Sequence, residues 1–289
     1  MKKATIGIIG GSGLYHIDGL SELEEISIQT PYGNPSDKIT IGKIGSEYIG
    51  FLPRHGKGHT INPSEVPYKA NIYALKSIGV KQILSVSAVG SLDVKIKPQD
   101  MMIPDQLIDR TKERPSTFFE KGIVAHVGMA EPFCPTLREM LIEYAEVNEV
   151  EVHKKGTYVV MEGPSFSTKA ESQLYRSWNA SVIGMTALPE AKLAREAEIC
   201  YATLACVTDY DVWHEDFENV TVEMVIKNLQ SNVANSRKIL SSILPNLPNQ
   251  KKCKCKNSLE SAIITNINSL ESQVINRLGP IINNYINKK

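Results

Sequence analysis

From Ala4 the chain runs ATIGIIG, apolar and β-type, and then empties into Gly10-Gly11-Ser12-Gly13, the pattern of a strand ending in a glycine loop. Lys38 to Ile44 and Tyr48 to Pro53 read as a hairpin whose second strand ends on the polar group Arg54-His55-Gly56. Ser64 offers a cap for a helix through about Ile78, with Gly79 closing it. Gln82 to Val86 then reads as a buried strand leading into Ser87-Ala88-Val89-Gly90-Ser91. The rhythm recurs as strand Thr157 to Met161, helix Thr168 to Trp178, strand Val182 to Gly184, helix Pro189 to Glu198, strand Cys200 to Thr208 and helix Val222 to Leu244. Such alternation predicts an α/β fold.

Pro245, Pro248 and the run Lys251-Lys252-Cys253-Lys254-Cys255-Lys256 mark a boundary, after which the sequence turns rich in Asn and Ile. Residues 1–246 are expected to form the main domain and 247–289 a linker with a helical extension packed on it or on a neighbouring subunit. In that tail Leu259, Ile263, Ile267, Leu270, Val274 and Leu278 fall on one helical face before Gly279-Pro280.

Composition narrows the partners. Among 289 residues, 32 Lys and Arg balance 32 Asp and Glu, so no global field draws the protein to nucleic acid or an anionic membrane, and a small-molecule substrate is expected. No apolar stretch reaches 18 residues and the N-terminal run is too short for a signal segment, which predicts a cytoplasmic location. Of the five cysteines, Cys134, Cys200, Cys206, Cys253 and Cys255, four lie beyond residue 199 at spacings that match no zinc-finger pattern. Free thiols and no metal site are expected, with disulfide pairing the alternative and Cys253-x-Cys255 in an exposed basic segment.

Several strand ends carry candidate chemistry, each with a plainer alternative. The first glycine loop lacks the third glycine of a dinucleotide fingerprint, having His16 there, yet it can present Ser12 and backbone N–H groups to an anion. Arg54-His55 suits phosphate oxygens or forms a solvated surface pair. Ser85 and Ser87 flank an accessible strand exit or a tight corner, and Phe166, after Gly163-Pro164, is a base-stacking ring or core. Thr208-Asp209-Tyr210-Asp211 sets two carboxylates just beyond the apolar strand ICYATLACV, at the sheet edge where ligands bind in α/β folds. Acid/base work, an Asx turn and a helix cap all use aspartate there.

In order along residues 4 to 245, these segments resemble the trimeric purine nucleoside phosphorylase family. The matching strings are Gly7-Ile8-Ile9-Gly10-Gly11-Ser12-Gly13, the 31–37 segment PYGNPSD, Arg54-His55-Gly56, the 59–64 segment HTINPS, the 129–134 segment MAEPFC, Glu162-Gly163-Pro164, Gly184-Met185-Thr186 and Thr208-Asp209-Tyr210-Asp211. The resemblance implies a single α/β domain with a mixed central sheet flanked by helices, a trimer or dimer of trimers, and no cofactor beyond phosphate as co-substrate. It places Ser12, Arg54, His55, Ser87 and Thr186 on phosphate, Ala88 near ribose or base, Met185 under the ribose and Phe166 against the purine. Val222, Val225 and Ile226, with His126 of a neighbouring subunit, would surround the 5′ group. Ser165 and Lys169 depart from the family pattern, which usually has arginine there, and Ser87 stands for a common threonine.

The implied reaction is phosphorolysis of 5′-methylthioadenosine, with Asp209 protonating the leaving purine and Asp211 accepting from the exocyclic amine. A phosphorylase acting mainly on adenosine or inosine-type nucleosides is the alternative within the family. A hydrolytic nucleosidase has no use for an anion site.

Overall fold

A computed structural model describes residues 3–15, 17, 19–214, 221–247 and 253–286, the side chains of Ser12 and Tyr15 excepted. Eleven strands among them form one sheet: β1 (Ile6–Gly10), β2 (Ser21–Ile26), β3 (Ile39–Ile44), β4 (Glu47–Pro53), β5 (Gln82–Ser91), β6 (Met101–Met102), β7 (Gln106–Arg110), β8 (Val152–His153), β9 (Thr157–Met161), β10 (Val182–Gly184) and β11 (Cys200–Asp209). The main path runs β2-β3-β4-β1-β5-β10-β9-β7, and β11 pairs with both β5 and β6. The sheet is mixed, since β1 lies parallel to β4 and β5 while β10 lies antiparallel to β5.

Strand β5 organises the centre. Its first half pairs with β1, from Ile6 opposite Gln82 to Ile9 opposite Ser85, and its far end pairs with β10. Along its other edge β11 runs parallel from Cys200 opposite Gln82, with a bulge between Val207 and Asp209. Every residue of β1 and β11 is buried, which explains why both read as unbroken apolar runs: helices cover both faces.

Five helices do this covering: α1 (Tyr68–Ser77), α2 (Pro135–Val147), α3 (Lys169–Ser177), α4 (Ala187–Glu196) and α5 (Val222–Ile243). Alternate β11 residues join different cores, Tyr201, Ala205 and Val207 with α1 and α4, and Ala202, Leu204 and Cys206 with α2 and α5. No helix among the described residues is long and apolar enough to cross a membrane.

Local chemistry explains where the elements depart from expectation. Helix α1 starts at Tyr68, not after Ser64, because Pro67 takes the cap position and Ser64 turns its hydroxyl to the Glu162 carbonyl at 3.3 Å. Helix α3 keeps its foreseen start, with Thr168 and Glu171 forming a capping box. Helix α2, with Leu137, Leu141 and Ala145 buried, adds to the elements expected from the sequence.

The tail stripe is not one helix. Two 3-10 turns, Lys254–Asn257 and Ile267–Ser269, precede the short helices α6 (Ser272–Leu278) and α7 (Asn283–Ile286). Asparagine side chains compete with helix here: Asn266 accepts from the Asn268 N–H at 3.0 Å. Leu259, Val274 and Leu278 nevertheless sink into the core beside α1 and α4, and Ile263 bridges to Ala125.

Candidate active site

The carboxyl ends of β1, β4, β5, β9, β10 and β11 open onto one cavity of about 660 Å³, walled on one side by α5. Arg54, His55, Ser87, Ala88, Phe166, Met185, Thr186, Asp209, Asp211, Val225 and Ile226 all line it. Residues nearly 160 positions apart in the chain meet because parallel neighbours deliver their exits to the same sheet edge.

At one end sits Arg54, only 2% exposed. Its Nε and Nη2 grip the Glu190 carboxylate in a two-point fork, with Nη2 to Oε2 at 3.1 Å. Nη2 also donates to Ser85 Oγ at 2.7 Å and Nη1 to the Val86 carbonyl at 3.1 Å. Burial opposes its charge, but Glu190 more than offsets that and holds the guanidinium protonated. Nη1 carries two N–H groups and spends one on Val86, so a donor is left for the cavity.

Around this cation the other groups are neutral. Burial, reinforced by the Arg54 charge, pulls His55 down to about 4, so its ring is uncharged near neutrality. Its Nδ1–H donates to the Ile61 carbonyl at 2.8 Å, which leaves Nε2 as an acceptor, and the ring stacks on His59 at 4.2 Å. Thr186 Oγ1 donates to Ser87 Oγ at 3.0 Å, linking hydroxyls from two strand ends. Ser12 belongs to a 3-10 turn at Ser12–Tyr15, and its side chain lies outside the described residues.

The opposite end is acidic and dry. Asp209 is 6% exposed, its Oδ2 accepting from Thr208 Oγ1 at 2.7 Å and its Oδ1 from the Asp211 N–H at 2.8 Å. Burial pushes its carboxyl up to about 6, with the Asp211 charge a smaller contribution in the same direction. Desolvation, not repulsion between the two acids, dominates. The Asx contact to Asp211 exists as well, so the turn and acid/base readings describe the same residue.

Asp211 adopts φ +52°, and its Oδ2 is buried with no hydrogen-bond partner among the described residues. Burial raises its carboxyl too. Strand β5 comes close because Gly90 has no side chain: a Cβ there would meet Asp209 Oδ1 at 2.7 Å.

Two expected residues stand apart. Val222, the first residue of α5, is 65% exposed and does not line the cavity; the next helical turn brings Val225 and Ile226 there instead. His126 is exposed on this chain and also outside the cavity, its backbone N–H donating to the Ala262 carbonyl at 2.8 Å.

Other groups were missed. Glu190 is one of three buried acids in the predicted helix Pro189 to Glu198, with Glu196 and Glu198, and nothing local singles it out. Arg114 is buried with Nη1 donating to the Met185 and Leu188 carbonyls at 2.6 and 2.7 Å, fixing the backbone beside Thr186. Arg237 donates from Nε to the Gly13 carbonyl at 2.8 Å, tying α5 to the glycine loop. Neither arginine sits in a local pattern that reveals its partner.

A buried cation with converging hydroxyls, faced across an open cavity by protonatable acids, matches the architecture of enzymes that transfer a glycosyl group to an anion. The phosphorylase superfamily model matches residues 5–245, and the chain belongs to that family. It is 54% identical, over 92% of its length and 82% of the relative's, to the S-methyl-5′-thioadenosine phosphorylase of a Synechocystis species. Against the enzyme of that name from Thermosynechococcus vestitus it is 51% identical over 98% of this chain and 99% of the other. Among solved structures, a methylthioadenosine phosphorylase sourced from an Antarctic soil metagenomic library superposes with a TM-score of 0.92 at 48% identity, covering 97% of this chain and 99% of that one.

Proposed function

We propose that the chain is a pentosyltransferase that cleaves 5′-methylthioadenosine with phosphate, releasing adenine and 5-methylthioribose 1-phosphate. The observation that carries this reading is one cavity holding a compensated cation at one end and protonatable aspartates at the other, in a chain whose near-full-length relatives bear that enzyme's name.

Phosphate is held by the spare Nη1 N–H of Arg54 and by the hydroxyls of Ser87, Thr186 and Ser12, while His55 Nε2 accepts from a protonated phosphate oxygen. Bound there, it is both the nucleophile for C1′ and the counter-charge to the ribosyl cation that builds as the glycosidic bond lengthens. Ala88 and Met185 flank the ribose, and Phe166 faces the purine.

At the far end Asp209 donates its proton to purine N7 as the base departs, and its raised value makes that proton more available near neutrality than an ordinary carboxyl's. Asp211, whose Oδ2 has no hydrogen-bond partner among the described residues, accepts from the 6-amino group, which favours adenine over a 6-oxo purine. Val225 and Ile226 form the apolar wall for the thiomethyl group, where a 5′-hydroxyl would be poorly paired. Exposed His126 is assigned to the same group in a neighbouring copy of a homo-oligomer, a trimer or dimer of trimers. Phosphate serves as co-substrate without a further cofactor.

The test is release of the purine base, adenine from methylthioadenosine and adenosine and hypoxanthine from inosine, each with and without phosphate. Phosphate-dependent release, fastest on methylthioadenosine, is expected. Release that ignores phosphate would identify a hydrolase, and preference for inosine would overturn the role of Asp211.

A further inference from the structure

Four of the five cysteines converge at the opposite end of β11 from the aspartates. Cys134 takes the N-cap position of α2, Cys200 opens β11, and Cys253 and Cys255 bracket the entry to the first tail turn. All four are buried, against the expectation that the last two lie in an exposed segment. Their sulfurs lie within 4.8 Å of one another, with Cys253 Sγ at 3.3 Å from that of Cys134 and 3.4 Å from that of Cys200.

These separations are those of a coordination shell. A disulfide brings two sulfurs to about 2.05 Å, whereas four thiolates at about 2.3 Å from a tetrahedral zinc ion sit roughly 3.8 Å apart. The observed spacings bracket the second value. They also involve all four sulfurs at once, which two separate covalent pairs do not require.

The surroundings suit anionic sulfur. The Cys255 N–H donates to Cys253 Sγ at 3.3 Å, and Cys134 lies at the positive end of a 13-residue helix. Four thiolates on one divalent ion leave a charge of −2. The segment that delivers two of them reads Lys251-Lys252-Cys253-Lys254-Cys255-Lys256, a concentration of positive charge that an apolar contact would not need.

We propose that Cys134, Cys200, Cys253 and Cys255 bind one Zn²⁺ as thiolates, each thiol giving its proton to solvent, and so staple the tail to the sheet. Four protein ligands close the shell, and the site is separated from Asp209 by the length of β11, about 30 Å. Its role is structural. The expectation of no metal arose because three distant segments supply the ligands, so no local spacing announces them.

The test uses the full chain, expressed in zinc-containing medium and purified without chelator or reductant. Metal analysis is expected to give one zinc per chain, and the denatured, unreduced protein with EDTA to show five thiols. Cobalt substitution should give the visible bands of a tetrahedral thiolate centre. Cys255→Ser should lose the metal and melt lower while keeping phosphorolysis at 25 °C, whereas Cys206→Ser keeps the metal. If Cys255→Ser fails to fold, the zinc and thiol counts on the parent decide. Three or one thiols would show disulfides and overturn the proposal, as would five thiols with no zinc after incubation with the ion, or one iron in its place.

Discussion

At one end of the cavity Arg54 keeps its charge in a buried site because Glu190 lies against it; at the other, Asp209 has hydrogen bonds but no cation beside it among the described residues, and burial pushes its carboxyl up to about 6 instead. Both groups are almost equally buried, at 2% and 6% exposure. The difference lies in pairing. A buried ion with a fork-shaped partner stays ionised, and one without a partner of opposite sign neutralises. Phosphorolysis needs both outcomes: a fixed positive charge for the incoming anion and a loaded acid for the leaving base.

The comparison breaks most severely at the acidic end. Asp209→Asn removes the proton donor and is expected to cut kcat on methylthioadenosine by about 10²–10⁴-fold, with inosine losing less; equal losses on the two bases would count against the assignment. Next comes the cationic end. Arg54→Met leaves Glu190 buried without a counter-ion, and the expected cost is about 3–5 kcal/mol of stability, read by denaturant unfolding, with a raised KM for phosphate. Arg54→Met paired with Glu190→Gln should recover much of the stability and none of the phosphate affinity.

Titration separates the ends without mutation. With Asp209 near 6, kcat/KM for the nucleoside at saturating phosphate should fall about tenfold per pH unit above that value. The Arg54 end should contribute no step in this range. The same shift bears on stability. The native state holds this proton more tightly than the unfolded chain, whose carboxyl has the ordinary value of 3.8, so stability falls as pH rises from about 4 to 6 and does not return above it. Asp209→Asn should therefore gain on the parent by up to about 3 kcal/mol between pH 4 and pH 8; a difference independent of pH would contradict the raised carboxyl.

The smallest effect is expected from Gly90→Ala. Its Cβ would press on Asp209 Oδ1, so kcat should drop about tenfold through misplacement of the acid, with phosphate KM unchanged. A matching change in phosphate KM would mean that the two ends are mechanically coupled.

Much of this site is legible in the sequence. Strands β1 and β11 announced themselves because a strand covered on both faces is apolar along most of its length, whereas β5 did so only over Gln82 to Val86, its continuation to Ser91 carrying serines and a glycine. Arg54-His55, Met185-Thr186 and Asp209-x-Asp211 lie at strand exits as expected, with Arg54, Thr186 and both aspartates buried there, whereas Ser87 lies inside β5, which continues to Ser91. Local pattern also set the capping box of α3.

What failed was anything that depends on who meets whom. Val222 and Val225 carry the same side chain, and only the rotation of α5 decides that one is exposed and the other lines the cavity. The tail stripe kept its burial but not its helix, because packing on α1 and α4 decided the apolar positions while asparagine turns decided the backbone. Glu190 and the cysteine cluster are the clearest cases. The sequence by itself determined the fold class, the strand exits and the chemistry offered there, because periodicity and residue type are local quantities. The tertiary structure alone decided that Glu190 would compensate Arg54, that Asp209 would be dry enough to hold a proton, and that Cys134, Cys200, Cys253 and Cys255 would share one buried point, because desolvation and charge pairing depend on neighbours brought from up to 136 positions away.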